Sequence, residues 1–174
     1  FDGAAIKDFS VVAALYMEAV QIVTNNPEIK TVADLKGKKV SVGAAGSGTY
    51  FNAIDALEAY GMTESDISPV YQSFGDSTES LKDGKIDAAF VVAGAPTTSI
   101  VDLATATDVY LVNIDGAECD AMLAASPYYS TYVIPAGTYN GQTEDVSTVA
   151  VGAVILARND IPEDAIYALT ADIF

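Results

Sequence analysis

Val40-Ser-Val-Gly-Ala-Ala-Gly-Ser-Gly-Thr49, running on into Tyr50 to Gly61, is the stretch whose reading decides the fold. Val40 and Val42 are β-branched and suit a strand, while Gly43, Gly46 and Gly48 permit a sharp turn and close approach of a ligand to the backbone. From Tyr50 the apolar residues Tyr50, Ile54, Leu57 and Tyr60 recur every three or four positions, and Gly61 supplies a stop. The pattern predicts strand, glycine-rich turn, helix. A helix start leaves unpaired N–H groups and a partial positive charge, so Ser47, Gly48 and Thr49 can offer amides and two hydroxyls to an anion, a carboxylate or phosphate. A tight βα corner with a Ser or Thr cap accounts for the same residues without a ligand, and from spacing alone both readings stand.

Two nucleotide readings fail on the residues. Gly43 and Gly48 have the spacing of P-loop glycines, but Thr49 and Tyr50 stand where Lys and Ser or Thr are required. Gly46 and Gly48 can begin a dinucleotide fingerprint, whose third glycine would fall at Phe51.

The 174 residues carry 24 acids against eight bases, a formal net charge of −16. Nucleic-acid binding needs clustered Lys and Arg, so this balance argues against it. The only Arg is Arg158. Cys119 is the one cysteine and there is no His, which leaves no internal disulfide, no Cys/His metal set and no imidazole base. No cofactor or metal is expected, and an enzyme is disfavoured. No stretch approaches the roughly 20 apolar residues of a membrane span. Phe1 to Ile6 lacks an initiator Met and a signal-like pattern, and Phe174 follows no helix stop, so the chain reads as a piece of a longer protein.

In chain order, Phe1 to Ser10 reads as a surface connection, and Val11 to Thr24 as buried structure ending in a strand at Val20 to Thr24. Thr31 to Gly37 reads as one helical turn with Asp34 completing a short capping box. Ser68 to Phe74 is expected as a strand, Asp76 to Glu79 as a helix start, and Ile86 to Ala93 as a parallel strand buried on both faces. Gly94-Ala-Pro-Thr-Thr98 then leads into a helix beginning near Pro96. A strand at Val109 to Ile114, a helix at Cys119 to Ala125, an apolar strand at Val146 to Leu156 and a helix from Pro162 complete the alternation, which implies a parallel α/β sheet. Tyr128 to Tyr132 is either core, rim or pocket wall. Ligands of open α/β sheets bind at the carboxyl ends of strands, where both Gly46 to Thr49 and Gly94 to Thr98 fall.

Several segments together resemble the TAXI family, the solute-binding receptors of tripartite ATP-independent periplasmic (TRAP) transporters. They are Leu15 to Val23, Thr31 to Lys38, Val42 to Thr49, Asp83 to Phe90, and Ile134 to Tyr139 running into Asp145 to Ala150. The resemblance implies a type II periplasmic-binding-protein-like lobe, a mainly parallel sheet flanked by helices, plus crossover segments of a second lobe. Residues 1–37 would be a first-lobe remnant and crossover, 38–140 the complete second lobe, and 141–174 the return crossover and a first-lobe remnant. It also implies an extracytoplasmic receptor that captures a small carboxylate or glutamate-like amino acid for the membrane permease subunits of an ion-gradient-driven transporter. Ser47, Gly48 and Thr49 would bind the carboxylate, with Gly94, Ala95, Pro96 and Thr97 closing the other side and the crossovers near Thr24 and Val146 acting as hinges. Met17, where relatives often carry Pro, departs from the pattern. Two alternatives use the same fold: an effector-sensing domain of a larger regulator, and an enzyme employing Cys119 or the carboxylates Asp76 and Glu79.

Overall fold

The structure, a computed structural model, describes residues 6–174. Its strands are β1 (Phe9–Thr24), β2 (Lys39–Ser41), β3 (Ser68–Val70), β4 (Ala88–Ala93), β5 (Tyr110–Val112), β6 (Tyr129–Ile134) and β7 (Val146–Arg158). The helices are α1 (Gly48–Ala59), α2 (Phe74–Lys82), α3 (Thr98–Ala106), α4 (Gly116–Ala125) and α5 (Glu163–Ile173). None of them is long and apolar enough to cross a membrane. The chain divides into two compact units, one of Glu18–Val151 and a smaller one built from the residues up to Met17 and Gly152–Phe174. Both divisions fall inside a strand, β1 and β7.

The larger unit has a mixed sheet, in the order β3-β2-β4-β1-β7-β6 with β5 also paired to β1. β2 runs parallel to both β3 and β4, with Val40 opposite Pro69 and Ala88. β1 is antiparallel to β4 and β5, and β6 is antiparallel to β7. The α/β class therefore holds, while the parallel character is confined to β3, β2 and β4. The continuous apolar run in β4 is what a strand covered on both faces requires, whichever direction its neighbours take.

Alternation along β1 and β4 divides the core between the two faces of the sheet. Val20, Ile22, Phe90 and Val92 pack with Leu57 of α1 and Met122 of α4. Ala19, Val23, Ala89 and Val91 pack on the other face with Leu81 of α2 and Ile100 and Leu103 of α3. The buried side of α1 is Thr49, Ala53, Ala56 and Leu57, whereas Tyr50, Ile54 and Tyr60 are half-buried beside it. Small residues occupy the centre because they let the helix lie close against the sheet, and the larger ones fill its margins.

The structure corrects several boundaries. β1 begins at Phe9, so Phe9 and Ser10 belong to a strand, and the part of the expected connection at residues 1–5 lies outside the described residues. β3 ends at Val70 and α2 already starts at Phe74, because Ser73 caps it by accepting from the Asp76 amide at 3.2 Å. Pro96 precedes α3, whose cap is Thr97, and the Ala95–Pro96 peptide bond is cis. β6 is an additional strand. The turn at Val32–Leu35 follows its expected pattern in part: Asp34 Oδ2 accepts from the Thr31 amide at 2.8 Å and from the Thr31 hydroxyl at 3.0 Å.

In the smaller unit, the Asn159 side chain accepts from the Ser10 hydroxyl at 2.7 Å and donates to the Lys7 carbonyl at 2.8 Å, clipping the ends of β1 and β7 together. α5 has no buried residue, and Tyr167, Leu169, Ile173 and Phe174 are exposed on it or at its end.

Candidate functional site at the carboxyl edge of β2 and β4

Because β2 and β4 are adjacent and parallel, the loops that follow them leave the same edge of the sheet. The expected residues Ser47 to Thr49 and Gly94 to Thr97 are thereby brought to one edge. The β3–α2 loop joins them there: the Val42 amide donates to the Val70 carbonyl at 3.0 Å, and the Gln72 amide donates to the Gly43 carbonyl at 3.2 Å.

Gly43 is the tight point of the β2–α1 turn. Its φ is +83°, and a methyl group on its Cα would lie 2.8 Å from Thr49 Cβ and 3.1 Å from Ser47 Oγ. Only glycine satisfies both demands. Ser47 caps α1, its hydroxyl oxygen accepting from the Tyr50 amide at 3.2 Å. That leaves the Gly48 and Thr49 amides and the Thr49 hydroxyl without hydrogen-bond partners among the described residues. The first turn of α1 contains no acidic residue, so its partial positive end is unopposed.

The two neighbouring helix starts differ from it. In α2, Ser73 Oγ donates to the Asp76 carboxylate at 2.6 Å, so this helix already holds an anion of its own. In α3, the Thr97 hydroxyl donates to the Gly94 carbonyl at 2.9 Å and accepts from Gln21 Nε2 at 2.9 Å. The Thr97 amide is also committed, donating to the Tyr139 hydroxyl at 2.9 Å. Thr97 thus fixes the loop rather than offering free groups, and the open donors of α3 lie one and two residues later, at the Thr98 and Ser99 amides. Gly94 and Ala95 are half-buried and Pro96 is exposed.

The residues that hold this edge were not singled out by sequence reasoning. Gln21 and Tyr139 are buried, and Tyr139 donates to Gln21 Oε1. Burial raises the Tyr139 phenol above its ordinary pKa, against the lowering effect of Thr97. Beneath α2, Ser77 donates to the Ser73 carbonyl at 2.7 Å, so in the 2.8 Å contact between Ser41 and Ser77 it is Ser41 that donates. Two side-chain atoms near the edge, Gln72 Nε2 and Ser99 Oγ, are buried without a hydrogen-bond partner among the described residues. A buried Gln inside the apolar run of β1 carries no periodic signal of its own in sequence, and neither does Tyr139 in a turn-rich passage.

The tyrosine cluster divides. Tyr128 is exposed, whereas Tyr129 is buried, accepting from Asn52 Nδ2 at 2.6 Å and donating to Asp55 Oδ2 at 2.6 Å. It lines a cavity of about 310 Å³ between α1 and α4, away from the carboxyl edge. Cys119 is buried, and burial together with Asp120 and Asp115 pushes its thiol pKa up, the opposite of what a nucleophile needs. Asp76 serves as a first-turn residue of α2. Among the described residues no three His, Cys, Asp or Glu side chains converge as a metal site.

The sequence pattern of one family, described as the NMT1-like family, matches residues 1–174. The chain belongs to the NMT1-like family. A protein of Escherichia coli (strain K12) named for binding aliphatic sulfonates is 39% identical over 69 residues, covering 40% of this chain and 21% of that protein. The solved periplasmic aliphatic sulphonate binding protein SsuA from Escherichia coli superposes with a TM-score of 0.50 at 29% identity, over 63% of this chain and 36% of that one. An arginine-bound ArgBP variant from T. maritima has the same TM-score, 0.50, at 16% identity over 95% of this chain and 60% of that one, a likeness of fold alone. This NMT1-like chain thus has the α/β fold of periplasmic binding proteins, and it spans less than two thirds of the length of each of these relatives.

These findings overturn the TAXI and TRAP resemblance. The segments that carried it are a Gly-rich βα corner, a capped helical turn, an exposed Asp-Gly turn that leads through the buried Ile86 into β4, and long apolar strands. Their physical requirements belong to the binding-protein fold, whichever class of transporter is served.

Proposed function

We propose that this NMT1-like chain is the ligand-binding core of an extracytoplasmic solute-binding protein, one that captures a small organic anion of the sulfonate class for the membrane permease of an ABC-type uptake system. The observation that carries the reading is the start of α1: two free amides and a free hydroxyl at the carboxyl edge of a parallel strand pair, with no acid in the first turn. The names of the Escherichia coli sulfonate-binding relatives support the ligand class and the periplasmic setting. Neutral donors suit this chain, since residues 42–49, 71–73 and 94–98 contain no Lys or Arg and a net charge of −16 gives no long-range attraction for anions.

In this reading Ser47, Gly48 and Thr49 hold the anionic head. Gly94, Ala95, Pro96 and Thr97 shape the opposite wall, with Thr97 acting through its hold on the loop. Residues 38–140 constitute the second lobe, and 1–37 and 141–174 contribute crossovers and first-lobe segments. Binding requires no covalent step and no cofactor.

The test is titration calorimetry of the full-length protein with alkanesulfonates, taurine, glutamate and dicarboxylates. Saturable binding of a sulfonate, lost in Thr49→Val, supports the reading. Binding of glutamate or another carboxylate alone replaces the ligand class, and binding of none of these acids by a folded protein moves the function towards effector sensing by a larger regulator.

A further inference from the structure

We propose that Asn140 is a site of spontaneous deamidation, and that its conversion to an acid frees α3 from a clamp that the β6–β7 turn keeps on both ends of that helix. The proposal is independent of the anion site at α1.

Two consecutive residues make the clamp. Tyr139 is buried, and its hydroxyl accepts from the Thr97 amide at 2.9 Å, at the start of α3. The Asn140 side-chain amide donates to the Ala104 carbonyl at 3.2 Å, in the last turn of the same helix. The last four carbonyls of a helix have no partner within it, and Asn140 supplies one of them.

Asn140-Gly141 is the one Asn-Gly pair in the chain, the other asparagines being followed by Asn, Pro, Ala, Ile and Asp. Both residues are exposed, so water reaches them. They are the central pair of a turn closed by the Gln142 amide donating to the Tyr139 carbonyl at 3.1 Å, and the peptide unit between them takes no part in that bond. The Gly141 nitrogen accordingly has no hydrogen-bond partner among the described residues. Glycine also has no Cβ to obstruct an approach to the preceding side chain. Attack of this nitrogen on the Asn140 side-chain carbonyl carbon forms a C–N bond and closes a five-membered imide. The bond to Nδ2 breaks, and that nitrogen leaves as ammonia with the proton given up by Gly141. Water then opens the imide at either carbonyl, giving aspartate or isoaspartate.

Either product releases the clamp. Aspartate has no donor for the Ala104 carbonyl and places a negative charge at the negative end of α3. Isoaspartate adds a methylene to the main chain. The Gln142 side chain ties its end of the turn to the Pro135 and Glu144 carbonyls at 3.1 and 3.0 Å, so the added length is taken up on the Tyr139 side and draws the phenol away from Thr97.

The test is peptide-mapping mass spectrometry of the full-length protein held in mildly alkaline buffer, alongside a synthetic peptide of residues 137–144. The expected result is conversion of amide to acid at Asn140 ahead of every other asparagine, at a rate within roughly tenfold of the peptide's. Asn140→Gln, which would have to close a six-membered ring, should show no conversion at that position. Isomerisation at Asp83-Gly84 or Asp115-Gly116 leaves the mass unchanged and cannot mimic this result. An Asn140 that stays intact while the peptide converts would overturn the site. For the clamp, Asn140→Asp should lower the thermal midpoint by about 2–4 °C, the effect of one lost hydrogen bond in a chain of this size. Hydrogen exchange should quicken in the last turn of α3 in that variant, and also at Thr97 in the aged wild type, with β2 and α1 unchanged. Unaltered exchange of α3 in both proteins would overturn the clamp.

Discussion

The Thr97 amide donates to the Tyr139 hydroxyl at 2.9 Å, and that hydroxyl donates in turn to Gln21, so the cap of α3 is held by a residue from the β6–β7 turn and one from β1. Three segments distant in sequence meet at one oxygen, and the Thr97 hydroxyl closes the network on Gln21 Nε2 and the Gly94 carbonyl. Removing the hydroxyl in Tyr139→Phe would leave the Thr97 amide and Gln21 Oε1 unpaired in a buried place, and the unfolding free energy should fall by about 1–3 kcal/mol. Gln21→Leu should cost a similar amount. Hydrogen exchange provides the sharper measurement: faster exchange at Thr97 in both variants, with β2 and α1 unaffected, is the expected pattern, and unaltered exchange would show that the network does not set the loop.

How far the sequence speaks is visible in the same network. The β2–α1 corner was legible because its determinants are local: glycines where the backbone turns sharply, a Ser one residue before the helix, and Gly61 after it with φ +68°. Gln21 and Tyr139 are 118 residues apart, and nothing in either neighbourhood announces the other. Strand direction was illegible for a related reason, since the hydrophobicity of β1 reports that it is covered, not which way β4 runs beside it. β6 was missed because Tyr, Ser and Thr alternate in it without an apolar contrast, Tyr129 and Ile134 being buried and Ser130, Thr131 and Val133 exposed. The ligand class was the least legible feature. A helix start accepts any small anion, and the segments that matched one receptor family are shared by others.

Gly43 and Gly46 both have positive φ, yet they should respond differently to alanine. At Gly46 an added methyl meets nothing within 4 Å, so Gly46→Ala carries only the backbone term of about 1–2 kcal/mol. At Gly43 the same methyl collides with Thr49 Cβ at 2.8 Å, on the helix turn proposed to hold the ligand. Gly43→Ala should therefore lose more stability than Gly46→Ala, by about 1–3 kcal/mol, because overpacking is added to strain. Denaturant unfolding of the two variants compares them directly, and equal losses would mean that the turn relaxes freely around residue 43.

Ser47 and Thr49 separate capping from binding. Ser47→Ala removes the acceptor of the Tyr50 amide and should lower stability by about 1 kcal/mol even without ligand. Thr49→Val keeps the shape of the side chain and removes a hydroxyl that has no partner among the described residues, so unliganded stability should change little. With a bound anion, Thr49→Val should weaken affinity by about 1–3 kcal/mol, the contribution of a hydrogen bond to a charged group. Thermal unfolding with and without a sulfonate reads both effects. A Thr49→Val protein that keeps the full ligand-induced rise in midpoint would remove Thr49 from the site.

Asp34 should govern part of the acid response. Its carboxylate accepts from the Lys30 amide at 3.0 Å, the Thr31 amide at 2.8 Å and the Thr31 hydroxyl at 3.0 Å. These donors, the two amides foremost, hold its pKa below the ordinary carboxylate value, and the Lys30 charge adds to them. A carboxylate depressed in the folded state is protonated first in the unfolded chain as pH falls. Its stabilising contribution is then complete above the unfolded pKa, about 3.9, and is lost as pH drops from there through the lower folded value. Asp34→Asn removes that contribution. The variant should be less stable than the wild type at pH 7 by an amount that stays constant down to about pH 5 and shrinks at lower pH. Thermal midpoints of the two proteins measured across pH 2 to 7 test it: a gap that stays constant across the whole range would show that the cap does not depend on the charge of Asp34, and a gap that widens in acid would reverse the sign of the linkage.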